Sequence, residues 1–150
     1  MSDFNCAYPI SVFSYWTQHS CAQIFETTAF TFPRLSEYFF LFFMTYLFET
    51  PVYWLLLRKQ FSFKKILRIS LILNLATHPA VIYGIPRIVI FFGGHEGHCT
   101  LIAEAFAPLV EATLLTLIWQ VRPMRAVLSS VSANLFSWLF GGWVLIKFIL

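Results

Sequence analysis

Charge is what this 150-residue chain has least of. Only 11% of its residues are Asp, Glu, Lys or Arg, against 59% hydrophobic ones. A soluble domain carries about a quarter charged residues and is about half apolar. A fold of this length has too little interior to hide so much apolar surface, so an ordinary aqueous globule is excluded. The mean hydropathy of +0.73 excludes disorder. The ten basic residues are scattered and exceed the acidic ones by only three. With no basic stripe interleaved with aromatics, nucleic acid is excluded as the expected partner, and lipid headgroups are the natural counterpart.

Catalytic signatures are missing too. The chain has no GxSxG elbow, no HExxH, no GxGxxG and no P-loop, so an intramembrane or metal-dependent enzyme ranks third among the functional readings. Ser137 facing His78 is the one pair on which a serine hydrolase could be imagined, and nothing around either residue supports it. Three cysteines, Cys6, Cys21 and Cys99, contain no CxxC and cannot all pair; a bridge between two of them is open. The first residues lack the positive stretch of a cleaved signal peptide, so the amino-terminal tail is expected to be retained.

What the chain does have is long apolar runs. A hydrocarbon core about 30 Å thick takes about 20 residues of helix. Four stretches qualify: Tyr38–Leu57, Ile66–Ile85, Thr100–Trp119 and Ala126–Leu145. In lipid a backbone must satisfy its own hydrogen bonds, and strict apolar–polar alternation is absent, so helices are expected and not a barrel. The expected fold is an all-α integral membrane protein of four transmembrane helices. Its parts are an amino-terminal tail over 1–37 with an interfacial segment, a first hairpin over 38–85, an external loop over 86–99, and a second hairpin over 100–150.

Basic residues set the expected orientation. Arg58, Lys59, Lys64, Lys65 and Arg68 surround the first hairpin turn, and Arg122 and Arg125 the second. The other side holds Arg34, Arg87 and Lys147. The positive-inside rule puts both turns in the cytoplasm and both termini outside a plasma or inner membrane.

The second half resembles the first. Glu49 and Glu111 are followed 25 and 23 residues later by Asn74 and Asn134, with a basic turn between. Ser70, Asn74 and Thr77 match Ser130, Asn134 and Ser137. This pattern predicts a duplication of one hairpin, the copies related by a pseudo-twofold axis along the membrane normal. Each Glu lies eight residues before its turn-side helix end and each Asn eight after, which at 1.5 Å per residue sets all four about 12 Å deep. Each Ser–Asn–Ser/Thr set recurs at i, i+4 and i+7 and forms one stripe. Thr45, Glu49 and Tyr53 form another stripe, and Glu104 shares a face with Glu111.

Carboxyl groups in such runs are costly and usually face a partner, a cavity or a transported species. Glu49, Asn74, Glu104, Glu111 and Asn134 are therefore the expected polar centre and ion path, with Ser70, Thr77, His78, Ser130 and Ser137 in support. The leading expectation is a small multi-pass protein of an oligomeric or multi-subunit membrane assembly, its centre passing protons or small cations. The alternative is an accessory subunit whose Glu and Asn residues are interhelical glue. Pro51 and Pro108, beside the two glutamates, each remove an amide donor and free a carbonyl, expected to be taken by Ser or Thr. No cofactor is expected. The one extramembrane cluster with metal chemistry, His95, Glu96, His98 and Cys99 in the sequence GGHEGHC, matches no ligand spacing, and a flexible polar loop is the expected reading.

Overall fold

The computed structural model describes residues 35–94 and 96–148, the side chains of Glu37, Glu96 and 142–148 excepted. Helix α1 spans Leu35–Leu57, α2 Phe63–Pro79, α3 Ile85–Phe91, α4 Glu96–Leu117 and α5 Pro123–Phe148; a π-helical turn, Ala80–Gly84, joins α2 to α3. No described residue lies in a strand.

Three helical stretches are long and apolar enough to cross a membrane: Tyr38–Leu57, the continuous Phe63–Phe91, and Gly97–Leu117. The fourth expected run, 126–145, lies on α5. The helices pack in the cyclic order α1, α2, α4, α5, each touching its two neighbours in that ring.

Helix α2 shows why the sequence folds this way. Its buried residues are Ile66, Ile69, Ser70, Leu73, Asn74, Thr77 and His78, one stripe of a 3.6-residue period. Its opposite face presents Leu71, Ile72 and Leu75 outward. A water-soluble helix would bury the leucines and expose the asparagine, so the exterior suits hydrocarbon better than water. Phe39, Phe43 and Leu47 on α1 and Val131, Leu135 and Leu139 on α5 are exposed in the same way.

Two apolar clusters cap the interior. The first, near the hairpin turns, packs Tyr53, Leu57, Ile66, Ile69, Leu73, Leu115, Val121 and three alanines. The second packs Val81, Ile85, Val89, Cys99 and Ala103 at the other end. Between them lies a polar layer. The basic residues of both turns, Arg58, Lys59, Lys64, Lys65, Arg68, Arg122 and Arg125, are all exposed at the same end of the bundle.

The expected external loop over 86–99 is mostly helical. Pro86 enters in the first turn of α3, where an amide hydrogen is dispensable. Just before it, the Ile85 amide donates to the Ala80 carbonyl, a five-residue reach characteristic of the π turn. The helix therefore passes two prolines and ends only at Phe91. Gly93 donates to the Ile90 carbonyl and Gly94 to the Val89 carbonyl, both at 2.8 Å, and Gly93 has φ +74°. This is a Schellman cap with glycine in the left-handed position. The amino-terminal tail, with its interfacial segment, Cys6 and Cys21, lies outside the described residues up to position 34.

Candidate functional site

Glu111 is the hub of the polar layer. Its Oε2 accepts from the Tyr53 hydroxyl at 2.7 Å, the Ser130 hydroxyl at 2.9 Å and the Asn134 amide at 2.6 Å. Its Oε1 accepts from the Thr77 hydroxyl at 3.2 Å. The donors come from α1, α2 and α5, so one side chain of α4 is tied to the other three long helices. Tyr53 and Asn134 each commit a hydrogen to Glu111, whereas the Thr77 and Ser130 hydroxyls also reach a main-chain carbonyl, those of Leu73 and Pro108. Glu111 is 1% exposed.

Glu49 is equally buried but far less engaged. Its Oε2 accepts from the Asn74 amide at 2.6 Å. Asn74 and Asn134 are held alike, each giving its second amide hydrogen to a carbonyl four residues back, Ser70 at 3.1 Å and Ser130 at 3.0 Å. Ser70 departs from Ser130 by accepting from Thr50, at 3.0 Å, instead of contacting the neighbouring acid. The expected Glu–Asn partnerships are therefore both present, 25 and 23 residues apart.

A cavity of about 100 Å³ adjoins this layer, walled by all four long helices and the π turn. Its lining runs from Glu49, Asn74, Glu111 and Asn134 through Met44, His78 and Glu104 to Phe40, Ile82, Ala103 and Gly141. It thus extends away from the hairpin turns. Toward the turns it is stopped by the first apolar cluster, in which Tyr53, Leu57, Ile66 and Leu115 have no exposed surface.

Glu104 is half-buried on the cavity wall, as is Ser137. His78 lines the wall and is 7% exposed, yet its Nδ1 has no hydrogen-bond partner. Rings enclose it on one side, Tyr38 at 5.2 Å and Phe42 at 5.5 Å between centroids. Most buried polar atoms have a partner, so this unpartnered imidazole nitrogen is an exception within the buried layer.

All five expected centre residues therefore converge on one cavity, with Thr77, His78 and Ser137 beside them and Ser70 and Ser130 one layer behind. Tyr53 as a donor across the two hairpins is not evident from spacing, although its i+4 position after Glu49 places it on the polar stripe. Trp138, Phe40 and Phe48 as cavity walls follow from no sequence motif. The carbonyls that Pro51 and Pro108 free belong to Leu47 and Glu104, four residues back. The hydroxyl bonds beside these prolines go instead to the Tyr46 carbonyl, from Thr50, and the Pro108 carbonyl, from Ser130.

In the GGHEGHC segment, Gly93 and Gly94 form the cap of α3, and Glu96 to Cys99 begin α4. His98 is exposed, whereas Cys99 is buried in the second apolar cluster. His95 and the Glu96 side chain lie outside the described residues. Among the described residues no three His, Cys, Asp or Glu side chains are placed to hold a metal ion. Comparison with protein-family models, with curated proteins and with solved structures found no match to this chain.

Proposed function

We propose that the chain is a four-span integral membrane protein, two tandem hairpins of one origin, whose Glu/Asn centre takes up protons or small cations from one side of the bilayer within a larger assembly. The observation that carries this reading is the cavity. It reaches Glu49, Glu104 and Glu111, and none of its lining residues is Lys or Arg. Three acids, Glu49, Glu104 and Glu111, line this low-dielectric cleft with no Lys or Arg on its walls, an arrangement that attracts cations.

The four-span, duplicated architecture draws support from the hydrogen bonds. Each proposed copy repeats an Asn amide shared between a glutamate on the preceding helix and a carbonyl four residues back. The ring order α1, α2, α4, α5 is also the one that a twofold axis exchanging α1 with α4 and α2 with α5 would preserve. Seven exposed basic residues at one end support a cytoplasmic location for both turns and an outward opening for the cavity.

Assembly with further copies or another membrane subunit follows from the blind end. Among the described residues, Tyr53 and the apolar cluster beneath it leave no polar route to the turn side, so passage across the bilayer needs a surface that these residues do not carry. The accessory-subunit reading has its own support in Glu111, whose four internal donors make it a pin between helices. The acids thus divide, Glu111 structural and Glu49 with Glu104 functional.

Labelling with a hydrophobic carbodiimide, read by peptide mass spectrometry, tests this division. Glu49 and Glu104 should react and be protected by sodium or potassium ions, while Glu111 stays unmodified. Equal modification of Glu111, or silence at both Glu49 and Glu104, removes the proposal. In proteoliposomes with a trapped pH dye, Glu49→Gln should remain folded and abolish whatever proton or cation movement the assembled wild type supports.

A further inference from the structure

We infer that the ligand of this cavity is a partly hydrated alkali-metal ion, held on three oxygens that the bundle leaves without hydrogens: Glu49 Oε1 and the side-chain carbonyls of Asn74 and Asn134. This rests on the reading above that the cavity takes a proton or a small cation, and it names which.

Hydrogen counting carries the inference. Asn74 spends its amide hydrogens on Glu49 Oε2 and the Ser70 carbonyl, and Asn134 spends its own on Glu111 Oε2 and the Ser130 carbonyl. No described donor reaches either amide oxygen or Glu49 Oε1. Among the described residues, the unpartnered side-chain atoms sealed from all access are His78 Nδ1 and Ser129 Oγ, so these three oxygens keep accessible surface. Glu49, Asn74 and Asn134 all line the cavity, and the first two are only 1% exposed, so what surface they keep belongs to it. The two Glu–Asn pairs stand side by side: Tyr53, one turn after Glu49, and Thr77, one turn after Asn74, both reach Glu111.

The proposed twofold shows why the open acceptor is on Glu49. Beyond its Asn, Glu111 has Tyr53, Thr77 and Ser130; their counterparts around Glu49 are Leu115, Ser137 and Ser70. Leucine has no hydroxyl, Ser137 lines the cavity instead of bonding Glu49, and Ser70 is taken up with Thr50, where the second copy has Ala112.

A proton on Glu49 engages one oxygen and leaves two carbonyls wanting. Ca2+ draws on six to eight oxygens, several of them carboxylate, and Mg2+ gives up its waters reluctantly. One open carboxylate oxygen between two amide carbonyls suits a monovalent ion, whose hydration shell such carbonyls replace in part. A single buried water needs on the order of 10–15 Å³, so about 100 Å³ also holds the waters that complete the shell.

The test is calorimetric titration of the purified full chain in detergent micelles with sodium chloride and potassium chloride, against N-methyl-D-glucamine chloride at equal ionic strength and against empty micelles. Saturable binding of sodium or potassium at one site per chain is expected, with none for N-methyl-D-glucamine. It should weaken at least tenfold in Glu49→Gln and at least threefold in Asn134→Leu, which removes one carbonyl oxygen and still leaves Glu111 with Tyr53, Ser130 and Thr77. Elution profile and thermal unfolding show that each variant is folded. Should either fail to fold, carbodiimide labelling of wild-type Glu49 decides in its place, and sodium or potassium should slow it at least tenfold relative to N-methyl-D-glucamine. Wild-type affinity in either folded variant overturns the inference, as does equal binding of all three cations. Glu49 labelling that is the same in every salt, with no saturable binding, overturns it while leaving a proton as the ligand. No saturable binding together with silence at both Glu49 and Glu104, in folded protein, removes both readings.

Discussion

Hydrogen counting around Glu111 separates what a substitution there would cost. Thr77 has one hydroxyl hydrogen and two acceptors in reach, the Leu73 carbonyl at 3.0 Å and Glu111 Oε1 at 3.2 Å. Ser130 is divided in the same way between the Pro108 carbonyl and Glu111 Oε2, both at 2.9 Å. A glutamine at 111 can keep its oxygen at the Oε2 position and turn its amide toward Thr77, whose own hydrogen then goes to Leu73. Glu111→Gln is therefore expected to unfold within about 1 kcal/mol of wild type. Glu111→Leu leaves Tyr53 and Asn134 without an acceptor and should cost about 3 kcal/mol or more, since each stranded buried donor costs about 1–3 kcal/mol. Tyr53→Phe removes a single interhelical bond, worth about 0.6–1.7 kcal/mol in a membrane. Thermal unfolding in one detergent orders the three variants. Equal losses for Gln and Leu would show that packing, not the acceptor set, holds the hub. The Glu–Asn pairing was legible because both residue types are rare in apolar helices and their spacing puts them at one depth. Tyr53 was less so, because a tyrosine among phenylalanines carries no such signal until its partner on another helix is known.

At the scale of elements, helical periodicity located α1, α2 and α4 well, and failed between 80 and 95. The expected second span, Ile66–Ile85, runs through Pro79 but stops before Pro86, whereas the helix continues by way of the π turn and carries Pro86 in the first turn of α3 to end at Phe91. A five-residue hydrogen-bond reach leaves no trace in hydrophobic spacing, so only coordinates reveal it. The paired glycines of the GGHEGHC segment suggest looseness in sequence and form a tight stop in the structure. A Cβ on Gly94 would stand 2.5 Å from the Val89 Cγ1 and 3.0 Å from its carbonyl oxygen. Gly93→Ala has open space but a φ of +74°, and should cost about 1 kcal/mol for the left-handed backbone. Gly94→Val meets a stiff β-branched neighbour and main chain, so its loss should exceed that of Gly93→Ala. Thermal unfolding of the two variants checks the order, and a reversal would mean that the cap is held by its backbone bonds alone.

The whole molecule is organised by a reversal of the soluble pattern, with leucine and phenylalanine outward and asparagine, glutamate and serine inward. That reversal is what composition predicts and what α2 displays residue by residue. Orientation in the bilayer is a property of the whole chain, and it can be tested independently of function. Gln60 and Met124 are exposed beside the two hairpin turns, and Gly97 is exposed at the other end of the bundle. In a chain with Cys6, Cys21 and Cys99 replaced by serine or alanine, single cysteines at these three positions report side. A membrane-impermeant maleimide applied to intact cells should label Gly97→Cys and leave Gln60→Cys and Met124→Cys until the membrane is opened. Reaction of 60 and 124 from the outside, with 97 protected, would keep two hairpins but invert them, and the proposed cation would then come from the cytoplasm. Reaction of 60 and 124 from opposite sides would leave an odd number of crossings between them. Two tandem hairpins of like orientation could not then exist, and the matching Glu–Asn pairs would have to be explained without duplication.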